Sequence, residues 1–471
     1  MKTATHTAAP MHQGSICHSH PCQVPASRQH GSRHHSQFSI LHFPLLLILS
    51  FVLLASCQSR TPKLYDPAVV NFSVSYNPLF ENQFYPSLVM GVASRNDETA
   101  PNDTQSLFAV SVTAPVNNAI LRITIDSSNL NYVTIFQGEL PQRGTRYTFY
   151  PSIKWKYDKL YRTRQQGNTD LTFTCFVNDE EVDIKNLRLN YRSVNDCLLS
   201  IKGTDNRPYD FRWLFAAYVN EEHPYIDSIL SGVLAQGIIT KITGYQLNKP
   251  ESVVAQVEAI WSYALEHGIS YSSISCTATP TKRSNVQHIR FFDEVYHSRQ
   301  ANCIDACVFF ASIMRKIGLK PVIFVEPCHA YLGYYTDAQR KNINILETTI
   351  TGWVDFPALT RNHQELLASN PHATGPQSIS EAMNAKYQKY LTDDEKKQWE
   401  EGKMTFDEFK HAITHNLFLR AAEYDRSNYN TNKKYFADPN NMQYQQLDIE
   451  QLRKIVQPIN DQQGLCPIPP L

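Results

Sequence analysis

The chain has 471 residues, of which 42% are apolar and 19% are charged, a composition that argues against a disordered or low-complexity protein. Lysine and arginine together number 44, as do aspartate and glutamate, so the formal net charge is zero. We therefore expect no nucleic-acid partner, because the chain has no basic excess with which to neutralise phosphates. At about 100–200 residues per domain, the length accommodates several domains with a sizeable core.

The first predicted segment is a leader. Residues 43–54 form an apolar run of 12 residues. This is the length of a signal-peptide core, whereas a membrane-spanning helix needs about 18–20 apolar residues. The run ends in Leu54-Ala55-Ser56-Cys57, which resembles a bacterial lipobox. We expect residues 1–56 to be a lipoprotein signal peptide and Cys57 to carry the lipid; the alternative is an ordinary secretory signal with a chance cysteine.

The predicted lipid would tether the protein by its N-terminus to a membrane of a Gram-negative cell envelope. No acidic run follows Cys57, which favours a periplasm-facing position over the cell surface. Removal of the leader takes away three basic residues and no acidic one, leaving 41 basic and 44 acidic residues. The remaining chain has seven cysteines besides Cys57, an odd number, so at least one thiol is unpaired or pairs between chains.

A short linker at residues 57–66 precedes a region rich in short strands at 67–203. Polar clusters such as Asp126-Ser127-Ser128-Asn129 separate several runs of β-favouring residues. The pattern predicts a β-sandwich-like domain, whose role would be binding or spacing because nothing in it has catalytic spacing. The predicted strands cover residues 107–113, 120–125, 132–136 and 171–177.

The pattern then changes to that of an α+β domain at residues 204–365, followed by a helical C-terminal extension at 366–471 that ends in an extended tail. Two helices broken near Pro224 are predicted over 212–236, and apolar spacing predicts a helix over 253–265 that ends at Gly268. The extension carries two capping boxes, Thr392 with Glu395 and Thr405 with Glu408. A further helix is predicted at 302–318, and strands at 321–326, 330–335 and 343–349.

Three residues in this α+β region have the types and order of a catalytic triad. Cys303 opens a predicted helix with Asn302 as its cap, and the free N–H groups of a helix N-terminus favour a thiolate. His329 opens a strand that can run beside this helix, and Glu347 lies at the end of the next strand. A thiol, an imidazole and a carboxylate in this order predict a nucleophile, its base and the acceptor that orients the base.

The motifs around these residues resemble the bacterial transglutaminase-like domain of the papain superfamily, over about residues 205–360. That resemblance implies a papain-like α+β fold in which Cys303 is the nucleophile, His329 the general base and acid, and Glu347 the third member. Many members of the family have aspartate at the third position, and a small residue where this chain has Cys328. The matching segments begin at Gln287 and continue through Asn302-Cys303-Ile304-Asp305, Phe309-Phe310-Ala311-Ser312, Gly318-Leu319-Lys320-Pro321-Val322, His329-Ala330-Tyr331-Leu332-Gly333 and Glu347-Thr348-Thr349.

Two further residues are candidates for supporting roles. Gln287 could donate to the oxyanion together with the backbone N–H of Cys303, as a glutamine upstream of the nucleophile does in papain-like enzymes. The alternative for Gln287 is an ordinary loop glutamine. Asp355, which follows the third predicted strand, is an alternative to Glu347 as the acid.

A zinc site is the rival interpretation of the same segment. Its ligands would be Cys303, Cys307, Cys328 and His329, but this spacing matches no common zinc pattern. We therefore expect no metal, and the resemblance implies no organic cofactor. Cys307 is expected to be a core residue. A disulfide between Cys328 and Cys303 or Cys307 would lock the site.

The sequence thus predicts a cell-envelope lipoprotein that hydrolyses amide bonds or transfers acyl groups by means of Cys303, on a peptide or protein substrate. One alternative is a catalytically inactive transglutaminase-like module that binds a partner or serves as a scaffold. Another alternative is a redox protein that uses Cys303 and Cys328.

Overall fold

The structure, a computed structural model, describes residues 65–80, 82–93, 107–273, 281–438 and 440–460. The predicted signal peptide, the lipidation site at Cys57 and the extended tail after residue 460 lie outside these residues, as do Cys276 and Cys466. Among the described residues, no helix combines the length and the apolar character needed to cross a membrane.

The first half of the described chain is dominated by strands. Phe108 of one sheet and Phe173 of another contact each other with ring centroids 5.9 Å apart. The strands are β1 (Ser73–Tyr76), β2 (Gln83–Phe84), β3 (Phe108–Thr113), β4 (Ala119–Ile125), β5 (Thr134–Leu140), β6 (Arg146–Phe149), β7 (Gly167–Val177), β8 (Glu180–Tyr191), β9 (Asp196–Lys202) and β10 (Pro208–Asp210). Two short helices, α1 (Pro86–Gly91) and α2 (Tyr157–Tyr161), and 3-10 turns at Pro67–Val70 and Pro78–Phe80 lie between them.

These strands form two principal sheets. One has the order β1-β3-β6, and the other has the order β2-β8-β7-β4-β5 with only β2 and β8 parallel. Along β4 the side chains alternate between buried and more exposed positions, as a strand with one face on a core requires. The hairpin from β7 to β8 turns at Asn178 and Asp179, which have φ of 51° and 65°. Both residue types tolerate the left-handed region that a tight hairpin needs.

The second half of the described chain mixes helices and strands. Its first long helices are α3 (Tyr225–Ala235) and α4 (Pro250–Glu266), followed by β11 (Ser270–Tyr271), β12 (Ser284–His288), α5 (Phe292–Ser298), β13 (Gln300–Ala301) and α6 (Cys303–Lys316). Then come β14 (Pro321–Glu326), β15 (His329–Tyr335), β16 (Ile343–Leu346), α7 (Phe356–Ser369), α8 (Glu381–Tyr387), α9 (Asp393–Glu400), α10 (Phe406–Tyr424), α11 (Arg426–Phe436), β17 (Gln445–Asp448) and α12 (Ile449–Leu452). Further 3-10 segments cover Arg212–Tyr218, Thr348–Trp353, Gly375–Ser378 and Gln388–Tyr390.

A four-stranded antiparallel sheet of order β16-β15-β14-β17 organises this half. Helix α6 packs on β14 and β15, and α10 packs against β16 and α4. The C-terminal segment therefore contributes both an edge strand and a packed helix to this sheet. All described residues belong to one compact unit, which has a large apolar core and a smaller separate cluster of Val322, Phe324, Tyr331, Ile345 and Phe436. The mixture of helices and several sheets confirms the predicted α+β class.

Some predicted elements differ from the structure in type or position. The first helix predicted within 212–236 is a 3-10 segment, Arg212–Tyr218, which begins with a Leu214 N–H to Phe211 C=O bond. The strand predicted at 132–136 is β5, which begins two residues later. The buried Asn131 side chain holds the preceding chain in a turn, because its Nδ2 donates to the carbonyls of Asp126 and Tyr132.

Candidate active site

The site begins at the N-terminus of α6. Asn302 caps this helix, since its side-chain oxygen accepts from the Asp305 N–H at 3.0 Å. The Asp305 carboxylate in turn accepts from the Asn302 N–H at 3.2 Å, which completes a capping box. Cys303 is therefore the first helical residue, as the sequence predicted, and its thiol is only partly buried. The helix N-terminus presents its dipole and free N–H groups to the sulfur.

Asp305 also anchors this helix end to the neighbouring segment. Its side chain is almost completely buried, and the Arg290 guanidinium lies 2.8 Å from it and pairs with it. The Arg290 backbone N–H donates to the same carboxylate at 2.9 Å. Burial raises the pKa of Asp305, and the bonds from Arg290 and Asn302 oppose that rise. The aspartate of the Asn-Cys-Ile-Asp motif thus fixes the start of α6, and with it the position of Cys303.

His329 is placed by a tight hairpin between β14 and β15. Glu326 pairs with His329 across the hairpin, so Pro327 and Cys328 form the turn between them. Cys328 has a φ of 65°, in the left-handed region that glycine favours. The His329 side chain is 27% exposed. The residue begins β15, the strand that packs beside α6. The prediction that His329 opens a strand next to the helix of Cys303 is therefore confirmed.

Glu347 follows β16 directly and orients the imidazole. The strand predicted to reach residue 349 ends at Leu346, because Glu347 caps the 3-10 segment Thr348–Trp353 by accepting from the Thr349 N–H. The other carboxylate oxygen, Oε2, accepts from His329 Nε2 at 2.8 Å. The Glu347 side chain is fully buried, and its backbone N–H donates to the Ala421 carbonyl of α10.

A second carboxylate, which the sequence did not reveal, also faces the imidazole. Asp425 lies at the junction of α10 and α11 and is 6% exposed. Its Oδ2 is 3.5 Å from His329 Nε2, a separation that is long for a hydrogen bond and suits an ion pair. The segment at residues 366–471 thus supplies a charged group to the site. No local pattern marks Asp425, since it lies between two helices among other polar residues.

The charges of these groups depend on one another. Contacts with Asp425, Cys303 and Glu347, in that order, raise the pKa of His329 well above its usual range. Burial opposes ionisation of Glu347, yet bonds from His329 and Asp425 lower the pKa of that carboxyl below its ordinary value. Burial raises the pKa of Asp425 above its ordinary value. The geometry therefore favours a protonated imidazolium beside an ionised Glu347.

The thiol completes the arrangement. Contact with the Cys303 thiol is one of the influences that raise the pKa of His329 above its usual range. Because Nε2 faces the two carboxylates, Nδ1 is the ring nitrogen available to the sulfur. The Thr348 hydroxyl donates to the Cys303 carbonyl at 3.5 Å and links the acid-bearing segment to α6. The three predicted residues are thus brought together as thiol, imidazole and carboxylate.

The other cysteines of α6 and the hairpin have different surroundings. Cys307 is fully buried, and burial raises the pKa of its thiol well above the ordinary value. This environment fits the predicted core role. Cys328 is exposed, and both it and Cys303 are free thiols.

The two residues predicted for supporting roles make local contacts. The Gln287 amide nitrogen donates to the His288 carbonyl at 3.0 Å, and its role as an oxyanion donor stays a prediction. Asp355 caps α7 by accepting from the Ala358 N–H. The group that the structure brings within metal-binding distance is His329, Glu347 and Asp425, with their ligand atoms within 4.8 Å of one another.

Comparisons with known proteins add a distant likeness. No protein-family model matches the sequence, and no curated protein matches it. Among solved structures, the chain is similar to that of red sea bream transglutaminase, with 9% sequence identity and a TM-score of 0.16. The alignment covers 59% of this chain and 52% of the other, so it spans about half the length of that transglutaminase. A likeness at that TM-score carries no weight in the proposal below.

Proposed function

We propose that this protein catalyses cysteine-dependent acyl transfer or amide hydrolysis on a peptide or protein substrate. The observation that carries the proposal is the arrangement of Cys303 at a helix N-terminus, beside a His329 that is oriented by the buried Glu347 at 2.8 Å. A packing role alone does not require a buried carboxylate to face a half-exposed imidazole beside a thiol. The motifs of residues 205–360 suggest a transglutaminase-like domain, preceded by a β-sandwich-like one.

In the proposed first step, the Cys303 thiolate attacks the carbonyl carbon of an amide and forms a C–S bond. The free N–H at the start of α6 would stabilise the oxyanion, with Gln287 as a second candidate donor. His329 gives its proton to the leaving amine as the C–N bond breaks, which yields a thioester on Cys303. Water or a second amine then attacks the thioester, His329 takes its proton, and the thiolate leaves.

Glu347 has the role of a positioning residue in this scheme. It holds the imidazole by Nε2, so that Nδ1 faces the thiol, and its charge favours the imidazolium form. Asp425 lies on the same side of the ring and is another contact that raises the pKa of His329. Both carboxylates therefore favour the protonated state from which His329 donates to the leaving amine.

The test is activity-based labelling of whole envelopes with a thiol-directed acyl probe, in the wild type and in Cys303→Ala, with the captured substrates identified. We expect Cys303-dependent adducts that carry peptide or protein acyl groups. A scaffold would give no such adducts in either protein, while the envelope phenotype of Cys303→Ala would match that of the wild type. A redox protein would instead show a reversible disulfide between Cys303 and Cys328.

We also propose that the protein is lipid-anchored at Cys57 and faces the periplasm. The lipobox-like residues and the short apolar run before them support this location. Metabolic labelling with an alkyne fatty acid should mark the wild type and fail to mark Cys57→Ser. Equal labelling of both proteins would overturn the lipidation site. Protease accessibility in intact cells then distinguishes a periplasmic position from a surface position.

A further inference from the structure

A cavity of about 490 Å³ lies between β11, the end of α5 and the start of α7. Strand β11 lines it, and Tyr271 of this strand pairs in parallel with Ala301 of β13. Because β13 runs through Asn302 directly into Cys303, one wall of the cavity leads to the nucleophile. A volume of this size is suited to a small ligand or a short stretch of peptide.

A second wall of the cavity leads back to Glu347. The 3-10 segment that follows Glu347 contributes Gly352, where an added Cβ would lie 3.1 Å from the Cβ of Tyr271. Tyr271 in turn lies within electrostatic reach of the site, since burial and then the charges of Cys303 and Glu347 raise the pKa of its phenol. The cavity is therefore bounded by the segments that carry the nucleophile and the acid.

The charged residues around this cavity are mainly cations. Arg299, Arg361 and Lys386 line it and are exposed, and Asp355 is the acidic residue among them. The Asp355 carboxylate is engaged at the start of α7, where it accepts from the Ala358 N–H at 2.9 Å. Within the described parts of the chain, none of these three cations forms an ion pair with a carboxylate. Their charges are therefore available to a ligand.

A neighbouring cavity is also lined by cations. It has a volume of about 580 Å³, and Trp353 and Tyr390 line it together with the cations Lys389 and Arg420. Trp353 follows Gly352 in the chain, so the two cavities share the segment after Glu347. Several cations that converge on one cleft raise the local concentration of an anionic ligand.

We propose that the cavity between β11 and α7, the cationic pocket, binds a carboxylate of the acyl donor. The substrate would then be a peptide whose free carboxylate lies a short distance from the amide that Cys303 attacks. This inference rests on the proposed function and names the substrate class for the same site. Arginine suits this role, because its planar guanidinium can hold a carboxylate by two parallel hydrogen bonds.

The experiment uses chloroacetyl peptides with one, two or three alanines, each prepared as a free carboxylate and as its carboxamide. Alkylation of Cys303 is followed by mass spectrometry of the full chain at neutral pH. We expect the carboxylate to react about tenfold faster than its carboxamide at the matching length, the factor that a charge-assisted hydrogen bond provides. Each added residue extends the probe by up to about 3.6 Å, so the preferred length measures the distance from the thiol to the cations.

Charge-removing variants assign this preference to the cationic pocket. Arg361→Gln alone should reduce the carboxylate-to-carboxamide ratio, and the combination with Arg299→Gln and Lys386→Gln should bring it close to one. The matched control is Lys433→Gln, an exposed cation on α11 that lines neither cavity, and it should retain the wild-type ratio. Thermal unfolding shows whether each variant is folded, and Arg361→Gln alone suffices if the combination is not.

Two measurements separate this inference from the proposed function. If both probes alkylate Cys303 equally in the wild type, or if the triple variant keeps the preference, the cationic pocket is not the carboxylate site. If neither probe reacts, the proposed nucleophile is wrong. Binding of acetyl-peptide carboxylates to Cys303→Ala then tests the pocket alone. Tighter binding of the carboxylate than of the carboxamide, lost in Arg361→Gln, supports it; equal binding overturns it.

Discussion

Strand β4 of the first half and the surroundings of His329 in the second half differ in whether charged side chains are buried. In β4 the buried positions are apolar, and Arg122 of the same strand pairs at the surface with an Asp179 whose side chain is 91% exposed. Around His329 the carboxylates of Glu347 and Asp425 are buried. Burial of a carboxylate costs solvation free energy unless charged partners compensate. Two buried carboxylates around one imidazole therefore indicate a chemical role more than a packing role.

The tight hairpins of the two regions differ in backbone strain. The hairpin from β7 to β8 turns at Asn178 and Asp179, which accept a positive φ readily. The hairpin that presents His329 has a cysteine at φ 65° instead. A residue other than glycine, asparagine or aspartate in this region costs about 1 kcal/mol or more. Strain and buried charge thus occur together beside His329, as is typical of functional sites.

The largest effect is expected from removal of the Cys303 thiol. Cys303→Ala should abolish acylation by p-nitrophenyl acetate while changing the free energy of unfolding by less than about 1 kcal/mol, because this side chain is only partly buried. Cys307→Ala, one turn later, should do the opposite. It should keep the acylation and lose about 1 kcal/mol of stability, since Cys307 packs in the core. Burst kinetics and urea unfolding measure the two effects.

The next largest effect is expected from Glu347→Gln. The variant keeps the shape of the side chain but removes the charge that orients His329, so acylation should fall by about 100-fold or more. The control is Glu181→Gln on β8, where an exposed carboxylate should contribute nothing to acylation. Acylation of Glu347→Gln at the wild-type rate would contradict the role assigned to Glu347.

A smaller effect is expected from Asp425→Asn, and its signature is pH dependence. Because Asp425 raises the pKa of His329, the variant should titrate this histidine at lower pH, with acylation reduced about tenfold. Histidine NMR shifts measure the titration. The exposed Asp407→Asn, at the start of α10, should leave it unchanged.

The free energy of unfolding should also depend on pH, because protonation of these groups is linked to folding. In the folded protein the pKa values of His329 and Asp425 are both raised. Their contributions to stability are therefore full below the unfolded-state pKa values and decline as the pH rises towards the folded-state values. The stability difference between wild type and Asp425→Asn should narrow as the pH rises from 5 to 9. Urea unfolding at several pH values tests this, and a difference that widens over this range contradicts it.

Much of the site could be predicted from the sequence because its determinants are local. Asn302 marks the start of α6 as its cap, and runs of β-favouring residues mark β14 to β16, the strands around His329 and Glu347. Asp425 could not be predicted in the same way. It reaches His329 through the tertiary packing of α10 against β16, and no spacing in the chain records that contact.

The fold shows the same division between local and distant determinants. The two capping boxes of the C-terminal segment are present as predicted, at Thr392 and Thr405. Strand β17 was not foreseen, because a strand of four residues has little pattern of its own and is defined by pairing with β14. The 3-10 geometry at residues 212–218 likewise depends on tight local bonds that apolar spacing does not distinguish from an α-helix.

The smallest expected effect concerns the strained hairpin. Cys328→Gly should stabilise the protein by up to about 1 kcal/mol, because glycine adopts a φ of 65° without strain. Asn178→Gly, at a similar φ in the other region, should gain less, since asparagine tolerates this conformation. Urea unfolding compares the two variants. A larger gain at Asn178 would contradict the claim that Cys328 is the more strained of the two residues.

The most direct test of the activated thiol is a competition between two cysteines of one protein. Cys328 is exposed, whereas Cys303 is partly buried, so accessibility alone predicts that Cys328 reacts first. With limiting iodoacetamide at neutral pH under reducing conditions and peptide mapping of each thiol, we expect Cys303 to be alkylated first, because it lies at a helix N-terminus beside His329, the surroundings of a reactive cysteine. Alkylation of Cys328 ahead of Cys303 would contradict the proposed nucleophile.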